Sequence, residues 1–280
     1  MTLPLIPVFK PDWTSPPGVQ ALSTMRLGGV SKGEYESLNL GAHVGDEPES
    51  VSENRRRLLA RLPGVLTLCF VNQVHGIRAI LADEAISMAL SSALSSGGLS
   101  VKASDKLLMP TRLAEADALV TSTKGLGLVI QTADCLPVFF TSSDGAVVGL
   151  AHAGWRGLAA GVLESTVSLM RQEARRQGAS EKISAAFGPA IGPQTFEVGA
   201  EVRAAFLDQK TRLAELFFKP AARPGKYLAN LYGLASLRLG VVKVDVLGQC
   251  RHCTVSEPES FFSYRRDGPT GRHASVIWLS

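Results

Sequence analysis

The sequence predicts an α/β or α+β fold. Strand-like apolar runs alternate along the chain with segments of helical period, and no repeat at solenoid or propeller spacing interrupts them. The 280 residues are 45% hydrophobic, which is ample for a packed core in one large domain or two small ones.

The first 18 residues read as an N-terminal extension that Pro4 and Pro7 break early. Val19–Thr24 and Leu66–Val71 are short strands by composition. Between them Asp46 is the expected N-cap, and Pro48 a first-turn residue, of a helix through Glu53–Arg61 that stops at Pro63-Gly64. The run Arg55-Arg56-Arg57 on that helix reads as a solvated face. Ser91–Ser104 is rich in Ser and Gly and reads as a surface excursion, not a domain boundary. Ala118–Thr121, Leu126–Thr132, Val138–Thr141 and Ala146–Ala151 are β-like and separated by Gly or Asp turns. Arg156–Gln177 is the clearest helix, with Leu158, Gly161, Val162, Ser165, Leu169 and Ala174 near the 3.6 period and Gly178 closing it. Then come a strand at Ile183–Phe187, a Gly/Pro loop at 188–193, and a helix from about Gly199 to Leu207. A helix at Tyr227–Leu239 and strands at Val241–Leu247 and Ala274–Leu279 complete the prediction.

Composition narrows the function. Twenty-nine Lys+Arg against 25 Asp+Glu gives a net charge of +4, too mild for a nucleic-acid platform or a polybasic membrane anchor. Disorder, collagen-like repeats and a disulfide-dense miniprotein do not fit the composition. No run of about 18 apolar residues is present, and the first residues lack the pattern of a signal peptide. Four cysteines without an export signal imply reduced thiols, so the cytoplasm is the expected compartment. Five histidines are too few for several imidazole-ligated metals.

Three segments share a design in which an apolar strand runs into a tight turn carrying a soft ligand: Phe70–Gly76 with His75, Gln131–Pro137 with Cys135, and Leu150–Gly157 with His152. Strand ends are where α/β folds collect functional groups. Two imidazoles and one thiolate suit Zn²⁺, and three protein ligands with an open fourth position describe a catalytic site. Taken singly, each histidine also reads as a satisfied core or surface residue, and Cys135 as a small buried hydrophobe. Gly154-Trp155-Arg156-Gly157 lies at a strand-to-helix junction, where free N–H groups and Arg156 suit an anion such as phosphate; an ordinary Gly-rich turn is the plainer alternative. Met25–Ser31 offers Arg26 and two glycines but is not a P-loop. Cys250-Arg251-His252-Cys253 lacks the second ligand group that a zinc site needs. Tyr264–Gly268 reads as a turn that brings cations and an acid either to a site or to the surface. No Gly-x-Ser-x-Gly elbow supports Ser-His-Asp catalysis.

With Asn72–Gly76, Thr132–Pro137 and His152–Gly157 together, the chain resembles the YfiH-like family. That family is variously described as laccase-domain polyphenol oxidases, purine nucleoside phosphorylases and peptidoglycan editing factors. Arg26–Gly41, Gly45–Leu58, Gly188–Gly199 and Phe261–Arg272 carry the same likeness, which spans the chain from about Val19 to Leu279. The resemblance implies one α/β domain over residues 19–280, with layered sheets flanked by helices in an α-β-β-α order. It implies one metal, usually zinc and alternatively copper, held by His75, Cys135 and His152. Arg26, Asn39, Gln73, Asp134 and Arg156 lie in matching motifs and become candidates for contacts around the metal and to substrate or phosphate, with Asp134 also a candidate proton shuttle.

The activity implied is phosphorolysis of adenosine, inosine or methylthioadenosine, with possible adenosine deamination, although the zinc-deaminase signature His-x-Glu…Pro-Cys-x-x-Cys is absent. The implied partners are a purine nucleoside and phosphate, with no nucleic acid, membrane or obligate protein partner. Copper-dependent phenol oxidation is the first alternative. Editing of a cell-wall precursor is the second, with Cys135 as nucleophile and His152 or His75 as base, and a non-enzymatic binding module is the last. Three positions depart from the family pattern: Met25 before the motif arginine, Asn230 where an acid is common, and the insertion at 91–104.

Overall fold

A computed structural model describes residues 6–87, 113–207 and 212–280; the expected insertion at Ser91–Ser104 lies outside them. In chain order the strands are β1 (Val8–Phe9), β2 (Val19–Thr24), β3 (Thr67–Cys69), β4 (Ala79–Leu81), β5 (Ala118–Thr121), β6 (Leu126–Thr132) and β7 (Leu136–Ser142). They continue as β8 (Val148–Ala153), β9 (Ile183–Phe187), β10 (Glu197–Gly199), β11 (Phe218–Pro220), β12 (Lys226–Ala229), β13 (Asp245–Gly248) and β14 (His273–Leu279). The helices used below are α1 (Pro48–Ala60), α2 (Trp155–Ala160), α3 (Val162–Gln177), α4 (Ala200–Leu207), α5 (Leu231–Val241) and α6 (Tyr264–Asp267).

Two mixed sheets stack face to face. One has the order β1-β2-β14-β6-β3, the other β13-β9-β7-β8-β5-β4, and a small β10-β12-β11 sheet stands apart. Strand periodicity sorts the core into layers. Leu128 and Ile130 of β6, Ile277 of β14, Phe139 of β7 and Leu150 of β8 meet between the sheets. Their neighbours turn the other way: Val129, Val276 and Trp278 pack with Leu58 of α1, while Val138, Phe140 and Ala151 pack with Leu163, Val167 and Met170 of α3. The order is therefore α-β-β-α, as expected. Strands buried on both faces explain the near-continuous apolar runs of β6, β7 and β8. No helix among the described residues is long and apolar enough to cross a membrane.

Several local expectations need correction. Residues before Val19 are not wholly an extension, because Val8 and Phe9 pair with Thr24 and Ser23. The predicted Arg156–Gln177 helix is two helices, parted at Gly161 with φ 111°, a conformation glycine adopts readily. The predicted Tyr227–Leu239 helix begins as strand β12, and its helical part starts only after Asn230, whose Oδ1 accepts the Gly233 N–H. Asp46 does not cap α1; its carboxylate accepts hydrogen bonds from Ser31 Oγ at 2.6 Å and Asn39 Nδ2 at 2.8 Å.

Arg55 is the largest correction. It is 2% exposed, bonds the Leu40 carbonyl through Nε and Nη2, and lies 4.0 Å over the Phe70 ring. The buried stripe of α1 is Val51, Asn54, Arg55 and Leu58, a helical period whose two polar members hold the adjacent loop. Arg56, exposed, pairs with Glu53 as a solvated face would; Arg57 also pairs with Glu53, but its side chain is only 16% exposed and donates to the Gly28 carbonyl.

The inter-sheet positions of β6, β8 and β14 run on to Thr132, His152 and His273, so the seam becomes polar at one end. There His273 is 3% exposed. Its Nε2 accepts the Phe262 N–H at 2.7 Å and its Nδ1 donates to the Thr132 carbonyl at 2.9 Å, which specifies the neutral ring. Burial pushes its pKa down to about 3. The unfolded chain, near 6.5, takes up this proton first. His273 therefore favours folding fully above about pH 6.5, and that stability is lost progressively as pH falls toward 3. In paired urea unfolding curves, His273→Gln should be less stable than the parent at pH 7 but lose less between pH 7 and 4. Equal losses would remove His273 from the acid response.

Candidate metal centre and cavity

The centre is built around a carboxylate. Asp117, fully buried just before β5, accepts the Val74 and Gly76 N–H groups on Oδ2, at 3.2 and 2.7 Å, and the His75 N–H on Oδ1 at 3.0 Å. The same Oδ1 lies 2.8 Å from His152 Nδ1, and the Asp117 carbonyl accepts the His152 N–H at 2.7 Å. This arrangement folds the 74–76 turn, in which His75 takes the left-handed φ of 59°, and directs His152 Nε2 into the cavity. Burial raises the Asp117 carboxyl, but His152 and the backbone donors outweigh it and hold it below the usual range.

Cys135 arrives on the turn between β6 and β7. Asp134 holds that turn at φ 102°: Oδ1 accepts Thr254 Oγ1 at 2.6 Å, Oδ2 accepts the Arg265 N–H at 2.7 Å, and its carbonyl accepts the Ile191 N–H at 2.9 Å. Cys135 Sγ is 3.8 Å from His75 Nε2, and the His75 and His152 rings meet edge to face at 4.7 Å. One donor atom from each of His75, Cys135 and His152 lies within 4.8 Å of the other two.

The glycines of Gly154–Gly157 make room for this group. A Cβ on Gly154 would stand 2.7 Å from His75 Cδ2 and 3.2 Å from Cys135 Sγ, and one on Gly157 would stand 2.6 Å from the Gly76 carbonyl. Burial raises the Cys135 thiol and lowers His152, but their mutual attraction wins, aided by His75 at the sulfur and Asp117 at the ring. Without a metal, Cys135 is pulled to about 6 and His152 is held above its ordinary value, a thiolate–imidazolium pair. The donor chemistry fits a borderline-soft ion, with the carboxylate behind His152 fixing its tautomer.

The three side chains open onto a cavity of about 630 Å³. Its wall is cationic, with Arg55, Arg156, Arg265 and Arg272 set against Asp134, and His43, Gln73, Trp155 and Tyr264 complete much of it. The cavity thus gathers His75, Cys135, His152, Asp134, Gln73 and Arg156 from the sequence candidates. Arg156 stacks over Trp155 at 4.5 Å, whereas Gln73 exchanges two hydrogen bonds with the Gln131 backbone.

Arg26 and Asn39 do not line it. Arg26 binds the Glu36 and Pro258 carbonyls and covers Phe262, and Asn39 is fully buried within its own loop. Asp117, His43 and Arg272 escaped the sequence reading; a lone acid between Ala116 and Ala118 was the available signal for the first. At the Cys250–Cys253 segment His252 pairs with Glu257 at 2.7 Å, and the described residues gather no metal-sized group there.

Comparison with known proteins agrees with this architecture. A family model described as multi-copper polyphenol oxidoreductase laccase matches residues 20–280. The purine nucleoside phosphorylase YfiH of Escherichia coli is 44% identical over 275 residues, covering 97% of this chain and 98% of that one. A purine nucleoside phosphorylase of Haemophilus influenzae is 42% identical over 274 residues, with 97% and 98% covered. A crystal structure from Neisseria meningitidis superposes with a TM-score of 0.80 at 40% identity over 98% of this chain and 99% of that one. YlmD of Geobacillus stearothermophilus gives 0.75 at 32% identity over 94% and 92%. With that coverage and identity behind it, the chain belongs to the YfiH-like family, the one that the laccase-domain model describes.

Proposed function

We propose that this protein is a zinc-dependent purine nucleoside phosphorylase, acting on adenosine, inosine or methylthioadenosine in the cavity beside His75, Cys135 and His152. The observation that carries the reading is the joining of a His-Cys-His donor group to an arginine-lined cavity. It occurs in a chain 44% identical, over nearly its whole length, to a relative named for this activity.

In this reading His75, Cys135 and His152 hold the ion, and Asp117 positions His152 and the His75 turn. A zinc ion so held supplies Lewis acidity to an oxygen of the substrates. Arg156, exposed at the cavity and free of hydrogen bonds among the described residues, provides a planar donor set for phosphate, with Arg265 and Arg272 adding positive potential. Asp134 positions the Cys135 turn. With both its oxygens taken, it gives little support to a proton shuttle for deamination.

Two other readings have an observation in their favour. The family description favours copper chemistry, yet the described residues gather a single metal-sized group, and His252 and His273 are engaged elsewhere. The metal-free Cys135–His152–Asp117 series favours a cysteine amidase acting on a cell-wall precursor; a resident metal would occupy its nucleophile.

Elemental analysis of the purified protein, with inosine phosphorolysis and phenol oxidation assayed on the same sample, separates the readings. The expected result is about one zinc per chain and phosphate-dependent release of hypoxanthine. Phenol oxidation, or amide hydrolysis by metal-free protein, without base release would overturn the proposal. His75→Ala and His152→Ala should retain the fold, lose the metal and lose phosphorolysis. Asp117→Asn should weaken metal affinity about 10–100-fold, read by competition with a zinc chelator. Unchanged affinity would show that Asp117 does not tune the centre.

A further inference from the structure

Among the described residues four of the five histidines have engaged rings: His75 at Cys135, His152 at Asp117, His252 at Glu257, and His273 between Phe262 and Thr132. His43 is the exception. Among those residues its ring makes no hydrogen bond, and it lines the cavity that contains the triad.

The loop carrying His43 is held on both sides. Asn39 Oδ1 accepts the Gly41 and Arg272 N–H groups, each at 2.9 Å, and Nδ2 donates to the Gly41 carbonyl and to Asp46 at 3.2 and 2.8 Å. Gly41 admits no side chain, because a Cβ would lie 2.8 Å from Arg272 Cγ. Beyond His43, Tyr35 donates its hydroxyl to the Val44 carbonyl at 2.8 Å. Arg55 binds the Leu40 carbonyl from α1. These bonds hold the backbone on both sides of His43, which is itself exposed and lines the cavity, and they give Asn39 a role in positioning this loop.

Desolvation and nearby positive charge both favour the neutral ring. Desolvation first, then Arg272 from the segment leading into β14 and Arg55 from α1, hold His43 below the ordinary histidine range. Asp46 in the same loop is occupied by Ser31 and Asn39. On the rest of the cavity wall the titratable and charged groups are the triad, Asp134 with both oxygens taken, Tyr264, Arg156 and Arg265. A neutral imidazole facing the cavity is left with both nitrogens available.

We propose that His43 is the proton-transfer residue of phosphorolysis, an inference that rests on the function proposed above. The neutral ring takes the proton from dihydrogen phosphate as a phosphate oxygen bonds to C1′ of the nucleoside. The C1′–N9 bond breaks, and its electron pair passes to the purine. The imidazolium then gives the proton to the purine. The products are the neutral purine and the sugar 1-phosphate, and His43 is returned to its starting state. Arg55 and Arg272 beside the ring make its imidazolium a better acid for this last transfer than a free one.

The test uses metal-loaded wild type, His43→Gln and His43→Ala, with kcat, KM, pH profile, metal content and thermal midpoint measured on each. Both variants should bind metal and melt as wild type does. In His43→Gln kcat should fall about 10²-fold with KM little changed, and the ascending acid limb of the profile should disappear. Added imidazole should restore part of the kcat of His43→Ala, in proportion to its neutral form. A kcat within about threefold of wild type, an unmoved acid limb, or a deficit that imidazole does not relieve would overturn the role of His43 while leaving phosphorolysis intact. Absence of phosphate-dependent base release in wild type would instead overturn the phosphorolysis reading, and this inference with it.

Discussion

The site depends on one buried carboxylate. Asp117 receives three backbone N–H groups from Val74–Gly76 and the Nδ1 of His152, so two donors far apart in sequence answer to a single anchor. A carboxylate at 0% exposure is tolerable only when its lone pairs are filled, and here filling them is what shapes the His75 turn. The constraint extends outward: once the turn is in place, its carbonyls and the His75 ring crowd Gly154 and Gly157. α2 can approach only because those positions lack Cβ atoms.

The four-layer packing explains why the site lies where it does. Between the sheets the seam is apolar through Leu128, Ile130, Phe139, Leu150 and Ile277. At the end occupied by Thr132, His152 and His273 it turns polar, and each buried polar group there has a partner. Pairing of β7 with β8 sets Pro137 opposite His152, two residues beyond Cys135. The sheet thereby delivers the thiol and one imidazole to the same corner, and the Asp117 turn delivers the other.

Much of this was legible in the sequence. β5, β6 and β9 have the bounds that their apolar runs predict, because strands buried on both faces leave a continuous hydrophobic signature; β2, partly exposed, also has its predicted bounds. His75 and Cys135 were legible because each ends an apolar run at a turn, and His152 because it lies near the end of the apolar run of β8. What escaped notice was set by tertiary contacts. Arg55 looked like part of a solvated basic run, yet its place one residue past Asn54 on the buried stripe of α1 takes it inside. The glycines after His152 looked like an anion-binding turn, and their spatial demand comes from a loop some eighty residues away in sequence. Lys226–Ala229 has a composition compatible with helix, and pairing with β10 and β11 makes it a strand.

The cationic wall of the cavity opposes stability and for that reason bears on function. Arg55 and Arg272 are both pulled below their ordinary values, chiefly by burial, Arg55 to about 10. The acid that shares the cavity, Asp134, spends its oxygens on Thr254 and Arg265. Arg55 and Arg272 also hold neighbouring carbonyls, but burying two like charges beside one cavity carries a cost in repulsion and lost hydration. An anion entering the cavity removes that penalty. In the proposed function, the same positive field that would draw phosphate inward also disfavours a charged His43, so anion binding and proton acceptance would be joined in one arrangement of charges.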